Sequence, residues 1–345
     1  MEESLTTPSE PAEQENTETA STETAQTEGP DIALVTECAD RVRSELSKVI
    51  VGQHEMVNLL LAALFTGGHV LLEGVPGIAK TLSARLLAQT IASGFSRIQF
   101  TPDLMPSDVV GTAVFNLRDS EFTFKAGPVF SNIVLIDEIN RAPAKTQSAL
   151  FEVMEERQVT VDGTTYALEA PFMVLATQNP IEQEGTYKLP EAQLDRFLFK
   201  ILLNYPSLEE EQAILRRFRH DFSNELRHSV QAVLRPADIA QCSRLIEQVY
   251  IREELLDYIA AIVHHTRHSP DLFLGASPRA SLSLMKSAKA VAAMSGRNFV
   301  TPDDIRGVCF PVLNHRVILT PEREIEGFTT KEVLDDMIKK VEVPR

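Results

Sequence analysis

Lys80 and Thr81 close the stretch "EGVPGIAKT" (residues 73–81), and Asp137 and Glu138 close the apolar run "NIVLIDE" (132–138). A lysine and a hydroxyl at the end of a glycine-bearing turn, with two adjacent carboxylates downstream, are what a polyphosphate and a hard divalent cation require. Gly74-Val75-Pro76-Gly77-Ile78-Ala79-Lys80-Thr81 is one residue away from the phosphate-binding pattern G-x-x-x-x-G-K-[ST], because Ala79 stands where the second glycine is expected. In such a loop the backbone N–H groups and the helix dipole face the β- and γ-phosphates, Lys80 adds a point charge, and the Thr81 hydroxyl binds Mg²⁺. An alanine is compatible with this if position 79 is already right-handed helical, where a Cβ costs nothing at φ of about −60°.

A degenerate loop pattern arises readily by chance, and an acidic turn after a buried strand is common. Two such signals, each at a strand end and in the right order, point instead to nucleotide hydrolysis. Asp137 would then hold Mg²⁺ through water, and Glu138 would orient and polarise the attacking water. A kinase built on the same loop is the alternative, and it usually lacks the adjacent Asp-Glu pair. Three single residues join these by position. Asn179 in "ATQNP" ends the next apolar run, where its amide could fix a lytic water, although Asn-Pro is ordinarily just a turn. Arg196 in "LPEAQLDRF" immediately precedes the last run, either as a surface arginine or as an arginine finger reaching a neighbouring subunit's γ-phosphate. Arg279 in "GASPRAS" opens a helix, where a cation is unfavourable against the dipole, so it is expected to serve an outside anion, seated over the phosphates.

The elements that must position these residues alternate. Short apolar, β-branched runs at 69–74, 96–100, 132–138, 172–179 and 197–204 are separated by helix-like segments. Near-continuous apolar strands between helices predict an α/β fold with a parallel five-stranded sheet covered on both faces, and ligands bind beyond the carboxyl ends of such strands. Two segments interrupt the alternation: a long insertion over 100–130, and a hairpin signal around Asp162-Gly163 in 157–172. Beyond Tyr205-Pro206 the strands stop, and helix starts follow at "SLEEE", "RPADI", "GASPRAS" and "TPDDI". The expected organisation is a tail over 1–30, a nucleotide-binding α/β domain over 31–205 and an all-helical domain over 206–345.

Composition narrows the partners. Residues 1–30 hold eight Glu, seven Thr, no Lys, Arg or aromatic, which predicts a disordered acidic tail that supplies half of the net charge of −16 and lacks the features of a signal peptide. The acidic remainder argues against nucleic acid as the main partner. No apolar run approaches the roughly 18 residues a membrane span needs. Cys38, Cys242 and Cys309 form no CxxC pair and read as buried small hydrophobes in a reducing, cytoplasmic setting.

In order, the loop (Walker A), the Asp-Glu pair (Walker B), a sensor Asn, an arginine before the last strand and a second arginine in the helical region resemble an AAA+ ATPase with a helical lid. The wording is closer still to the MoxR family, in "EGVPGIAKT" with its alanine, "DEINRAPAKTQSALFEVMEERQVTVDG", "FMVLATQNPIEQEGTYKLPEAQLDRFLFK" and "GASPRAS". The likeness covers roughly residues 35–320. Lys188 departs from it, since proline is usual there, and the acidic tail is additional. The resemblance implies that Ala79 is an accepted member of a functional loop, and that 100–130 and 158–170 are a helix-2 insertion and a hairpin before the sensor strand. It further implies a ring, commonly a hexamer, that hydrolyses ATP to remodel client proteins or assist metal or cofactor insertion. A protein carrying a von Willebrand factor A domain is the partner such rings often have. Three other readings stand beside it: a magnesium chelatase ATPase subunit, a nucleic-acid-processing AAA+ protein, and a non-hydrolysing switch. The "NPIEQEGTYKLPEAQ" stretch argues against the first, the lack of Lys or Arg in 158–170 against the second, and Glu138, Asn179 and Arg196 together against the third.

Overall fold

The computed structural model describes residues 31–344 apart from Pro76, Asp119, 181–184 and 222–224, so the acidic segment 1–30 and the Pro76 of the loop lie outside the described residues. Two helices come first, α1 (Ala33–Ser47) and α2 (His54–Thr66), followed by β1 (Val70–Gly74), α3 (Lys80–Gln89) and β2 (Phe95–Gln99). The 100–130 insertion folds as α4 (Pro106–Val110), β3 (Gly111–Asn116) and β4 (Glu121–Ala126), and leads to β5 (Ile133–Asp137) and α5 (Ala144–Glu156). Then come β6 (Gln158–Val161), β7 (Thr164–Ala167), β8 (Met173–Gln178), α6 (Glu191–Leu194) and β9 (Phe199–Leu203).

The five apolar runs form one parallel sheet in the order β2-β5-β8-β1-β9. Alternation along each strand divides its side chains between two cores. Leu71, Val134, Ile136, Val174 and Ala176 face a core with Leu150, Phe151 and Phe197. Val70, Leu72, Ile133, Leu135, Met173 and Leu175 face a second core that runs on through α1 and α2. Register decides what the sheet presents at its carboxyl edge. Glu73 pairs with Gln178 and Gln99 with Asp137, so the loop after β1, the acid pair after β5 and Asn179 after β8 emerge side by side.

Both interruptions are antiparallel hairpins, β3–β4 and β6–β7. The second turns through Asp162 (φ 49°) and Gly163 (φ 79°), the left-handed pair that a two-residue turn demands. The two hairpins touch where Phe124 stacks on Tyr166, ring centroids 4.2 Å apart.

After β9 the chain is helical: α7 (Leu208–Phe218), α8 (Glu225–His228), α9 (Pro236–Glu247), α10 (Glu253–His268), β10 (Leu272–Leu274), α11 (Pro278–Met294), α12 (Pro302–Leu313), β11 (Ile318–Leu319), α13 (Pro321–Ile325) and α14 (Thr330–Lys340). Ser207 caps α7 reciprocally with Glu210, and Ser277 caps α11 by accepting the Arg279 N–H. The short β10–β11 ribbon is an element the helical reading did not include. The first helices also join this region: α1 and α2 pack on α9 and α11, and Ala280, Ala288 and Ala292 of α11 are fully buried. Among the described residues no helix is long and apolar enough to cross a membrane.

Candidate active site

Between β1 and α3 the main chain must turn within a few residues and still point its N–H groups outward. Gly74 is required by crowding, since a Cβ there would lie 2.8 Å from the Leu203 carbonyl oxygen, and Gly77 sits at φ 87°. Val75 and Ile78 pack into the core and anchor the turn. Ala79 corrects the expectation from sequence. It is not helical but left-handed, at φ 62° and ψ 20°, and it caps α3 by accepting the Ser83 N–H. A Cβ in this region costs roughly 1–2 kcal/mol, so the loop carries strain that a glycine would not.

Lys80 points its ammonium group at the carbonyl oxygens of Gly74 and Gln178, the latter 3.1 Å away. The Thr81 hydroxyl donates to Asp137 Oδ1 at 2.9 Å, which joins the loop to the acid pair. Asp137 is buried and further held by the Thr177 hydroxyl at 3.2 Å and by Arg97 Nε, which donates to Oδ2 at 2.6 Å. Glu138 follows at φ 57°, a left-handed turn that lifts its side chain away from the strand. Its carboxylate accepts from Gln99 Nε2 at 3.0 Å and pairs with Arg141 Nε at 2.9 Å, while its N–H donates to the Thr177 hydroxyl at 3.0 Å. Gly77, Ala79, Lys80, Thr81, Asp137, Glu138 and the buried Asn179 line one cavity of about 450 Å³.

Thr81 and Asp137 supply hard oxygen donors of the kind Mg²⁺ prefers, beside an open cavity in which phosphate oxygens and waters could complete its shell. Among the described residues no group of three or more His, Cys, Asp or Glu side chains forms a metal cage. The residues therefore fit an ion carried in with a nucleotide and not one enclosed by protein alone.

Arg196 and Arg279 do not line that cavity. They meet in a second one, of about 370 Å³, where five cationic side chains (Arg157, Arg196, Arg279, Lys286 and Arg316) face only two carboxylates, Glu155 and Asp195. Arg279 Nη2 donates to Glu155 Oε1 at 2.6 Å, and Arg196 Nε lies 4.0 Å from Glu155 Oε2. Arg196 Nη1 donates to the Phe151 carbonyl, and its Nε is buried with no hydrogen-bond partner. Within this chain Arg279 therefore sits beside Arg196 and away from the phosphate-binding loop.

Several neighbours escaped the sequence reading. Thr177, Arg97 and Gln99 each touch the acid pair, and Arg227 of α8 lines the nucleotide-sized cavity. Thr177 stands two residues before Asn179 in an apolar run, and Arg97 and Gln99 alternate in "SRIQF" so as to share one face of β2. That period-two pattern at a strand end was the available signal.

The chain is similar to known proteins over most of its length. Residues 69–199 match the "ATPase family associated with various cellular activities (AAA)", and residues 264–337 match the AAA lid domain. The chain is 47% identical over 299 residues to YeaC of Bacillus subtilis, an uncharacterized protein, covering 87% of this chain and 92% of that one. It is 42% identical over 323 residues to Chaperone MoxR1 of Mycobacterium tuberculosis, covering 91% and 84%. A solved structure from Cytophaga hutchinsonii, of a protein assigned as an ATPase, superposes with a TM-score of 0.83 at 46% identity over 91% of this chain and 97% of that one. With a P-loop core, a helical lid and 42% identity to a MoxR protein over most of both sequences, the chain belongs to the MoxR family of AAA+ ATPases.

Proposed function

We propose that this chain hydrolyses ATP to ADP and phosphate in a ring, commonly a hexamer, whose active sites are completed between neighbouring subunits. The observation that carries the reading is the convergence of Lys80, Thr81, Asp137, Glu138 and Asn179 on one cavity, with Thr81 bonded directly to Asp137. Loop N–H groups and Lys80 bind the β- and γ-phosphates, exchanging the Gly74 and Gln178 carbonyls for phosphate oxygens. Thr81 and Asp137 would hold Mg²⁺, whose charge would offset that of the phosphates. Glu138 takes the proton of the lytic water, and Asn179 orients that water. Arg196 and Arg279 are offered to the next subunit's γ-phosphate. The cationic excess of their cavity and the Arg196 Nε that lacks a hydrogen bond support this, as does their absence from the cavity of their own loop.

Client remodelling is supported by the word chaperone in the name of the 42%-identical relative. The von Willebrand factor A partner and metal or cofactor insertion rest on family resemblance alone. The three buried, unbridged cysteines fit a reducing, cytoplasmic setting. Replacing Glu138 by Gln keeps size and hydrogen bonding but removes the base, so ATP should bind normally while steady-state phosphate release nearly stops. Normal turnover by Glu138→Gln would sink the assignment.

A further inference from the structure

Asp195 precedes Arg196 and is tied to the lid at both oxygens. Oδ1 accepts from Arg316 Nε at 2.7 Å, and Oδ2 accepts from the Ser277 hydroxyl at 2.9 Å. Ser277 is also the cap of α11 and accepts the Arg279 N–H at 3.2 Å. One carboxylate therefore fixes the residue before one arginine of the pair and the cap of the helix that carries the other. Arg316 grips the main chain on both sides of Arg196: Nη2 donates to the carbonyls of Asp195 (3.0 Å) and Phe197 (2.7 Å) and Nη1 to that of Leu198 (3.2 Å), while Nη1 also donates to the Val312 carbonyl of α12. Its two predecessors reach the chain after Arg196: His315 Nε2 lies 3.0 Å from the Phe197 carbonyl oxygen, and Asn314 donates to that of Lys200 at 2.9 Å.

From this geometry we propose that Asp195 and Arg316 are positioning residues that hold Arg196 and Arg279 as one unit, so that lid and core present both guanidinium groups together. The inference rests on the shared-site reading above. A purely structural role is a poor account of the energetics. The Arg316 side chain is only 2% exposed, and burying an ion pair costs several kcal/mol in desolvation that a well-packed apolar pair would not incur. The planar fork of a guanidinium can meet several carbonyls at fixed angles, which sets geometry in a way apolar contact cannot. Glu155 faces both arginines from α5 and completes the orientation from the other side.

The test is a mutant cycle on the full chain. Asp195→Asn removes the charge that holds Arg316. Ser277→Ala removes one hydroxyl and leaves the buried ion pair intact, so it carries the test alone if Asp195→Asn fails to fold. Since displacing a catalytic group by about 1 Å can cost on the order of a hundredfold, Asp195→Asn should lower kcat by roughly ten- to a hundredfold and Ser277→Ala by less, with ATP affinity changed by less than about twofold. Neither change should slow further a chain that already carries Arg196→Ala and Arg279→Ala. An undiminished fall in that background, or an affinity loss that matches the rate loss, would overturn the positioning role while leaving the shared site standing. Full turnover by the arginine-less chain itself would overturn both.

Discussion

His69 immediately precedes β1 and lines the arginine cavity, and its buried ring makes protein stability depend on pH. Nδ1 accepts the Val174 N–H at 2.9 Å, so Nε2 must carry the proton that is shared with the Met154 carbonyl at 3.1 Å. A second ring proton would meet an N–H donor instead of an acceptor. Burial, and secondarily the nearby Arg157, lowers the pKa from 6.5 to about 4. The folded pKa lies below the unfolded one, so the contribution is fully present above pH 6.5 and is lost as pH falls toward 4. The shift of about 2.5 units corresponds to roughly 3 kcal/mol by pH 4, and to about 2 kcal/mol of it between pH 6.5 and 5. His315 is driven the same way by its burial and by Arg316, and adds a slope of the same sign. Equilibrium urea unfolding across this range, on the wild type and on His69→Gln, reads the effect. Glutamine offers one acceptor and one donor but does not titrate. The variant's stability should therefore fall less steeply, by about 1.4 kcal/mol per pH unit. Parallel curves would refute the reasoning.

Two further outcomes follow from contacts around the loop. Thr177→Val keeps shape but leaves the Glu138 N–H and one Asp137 oxygen without the Thr177 hydroxyl, so kcat should fall by roughly tenfold or more in a phosphate-release assay while ATP affinity holds. Ala79 sits in the left-handed region, so Ala79→Gly should retain or tighten ATP binding, whereas the β-branched Ala79→Val should weaken it by about tenfold, as measured by titration with a fluorescent nucleotide.

The three central strands β5, β8 and β1 were legible because each is a run of apolar residues buried on both faces, and the β6–β7 hairpin because Asp162-Gly163 suits one kind of turn. Lys80, Thr81, Asp137, Glu138 and Asn179 were legible because chain order along a parallel sheet places consecutive strand ends at one edge. The remainder depended on contacts distant in sequence. Glu155 and Arg279 are 124 residues apart and meet only through the docking of α11 on the core, tied by Ser277 to Asp195. Arg316 follows the apolar run of α12 and reads as an ordinary surface charge until the fold buries it against the carbonyls around Arg196. The Ala79 backbone is not legible, because a Cβ favours a right-handed φ while the turn between β1 and α3 imposes a left-handed one.

The central claim is that each hydrolytic site combines the loop of one subunit with the arginines of the next, and mixing two inactive proteins tests it most directly. Lys80→Ala lacks the phosphate-binding charge and keeps Arg196, while Arg196→Ala keeps the loop and lacks the finger. A finger of this kind is worth on the order of 10³–10⁵ in rate, so each protein alone should be nearly silent. Rings containing both should include sites with an intact loop and an intact finger, and turnover in the mixture should exceed the sum of the separate proteins. If native mass spectrometry shows mixed rings and no ratio restores turnover, Arg196 does not act on its neighbour.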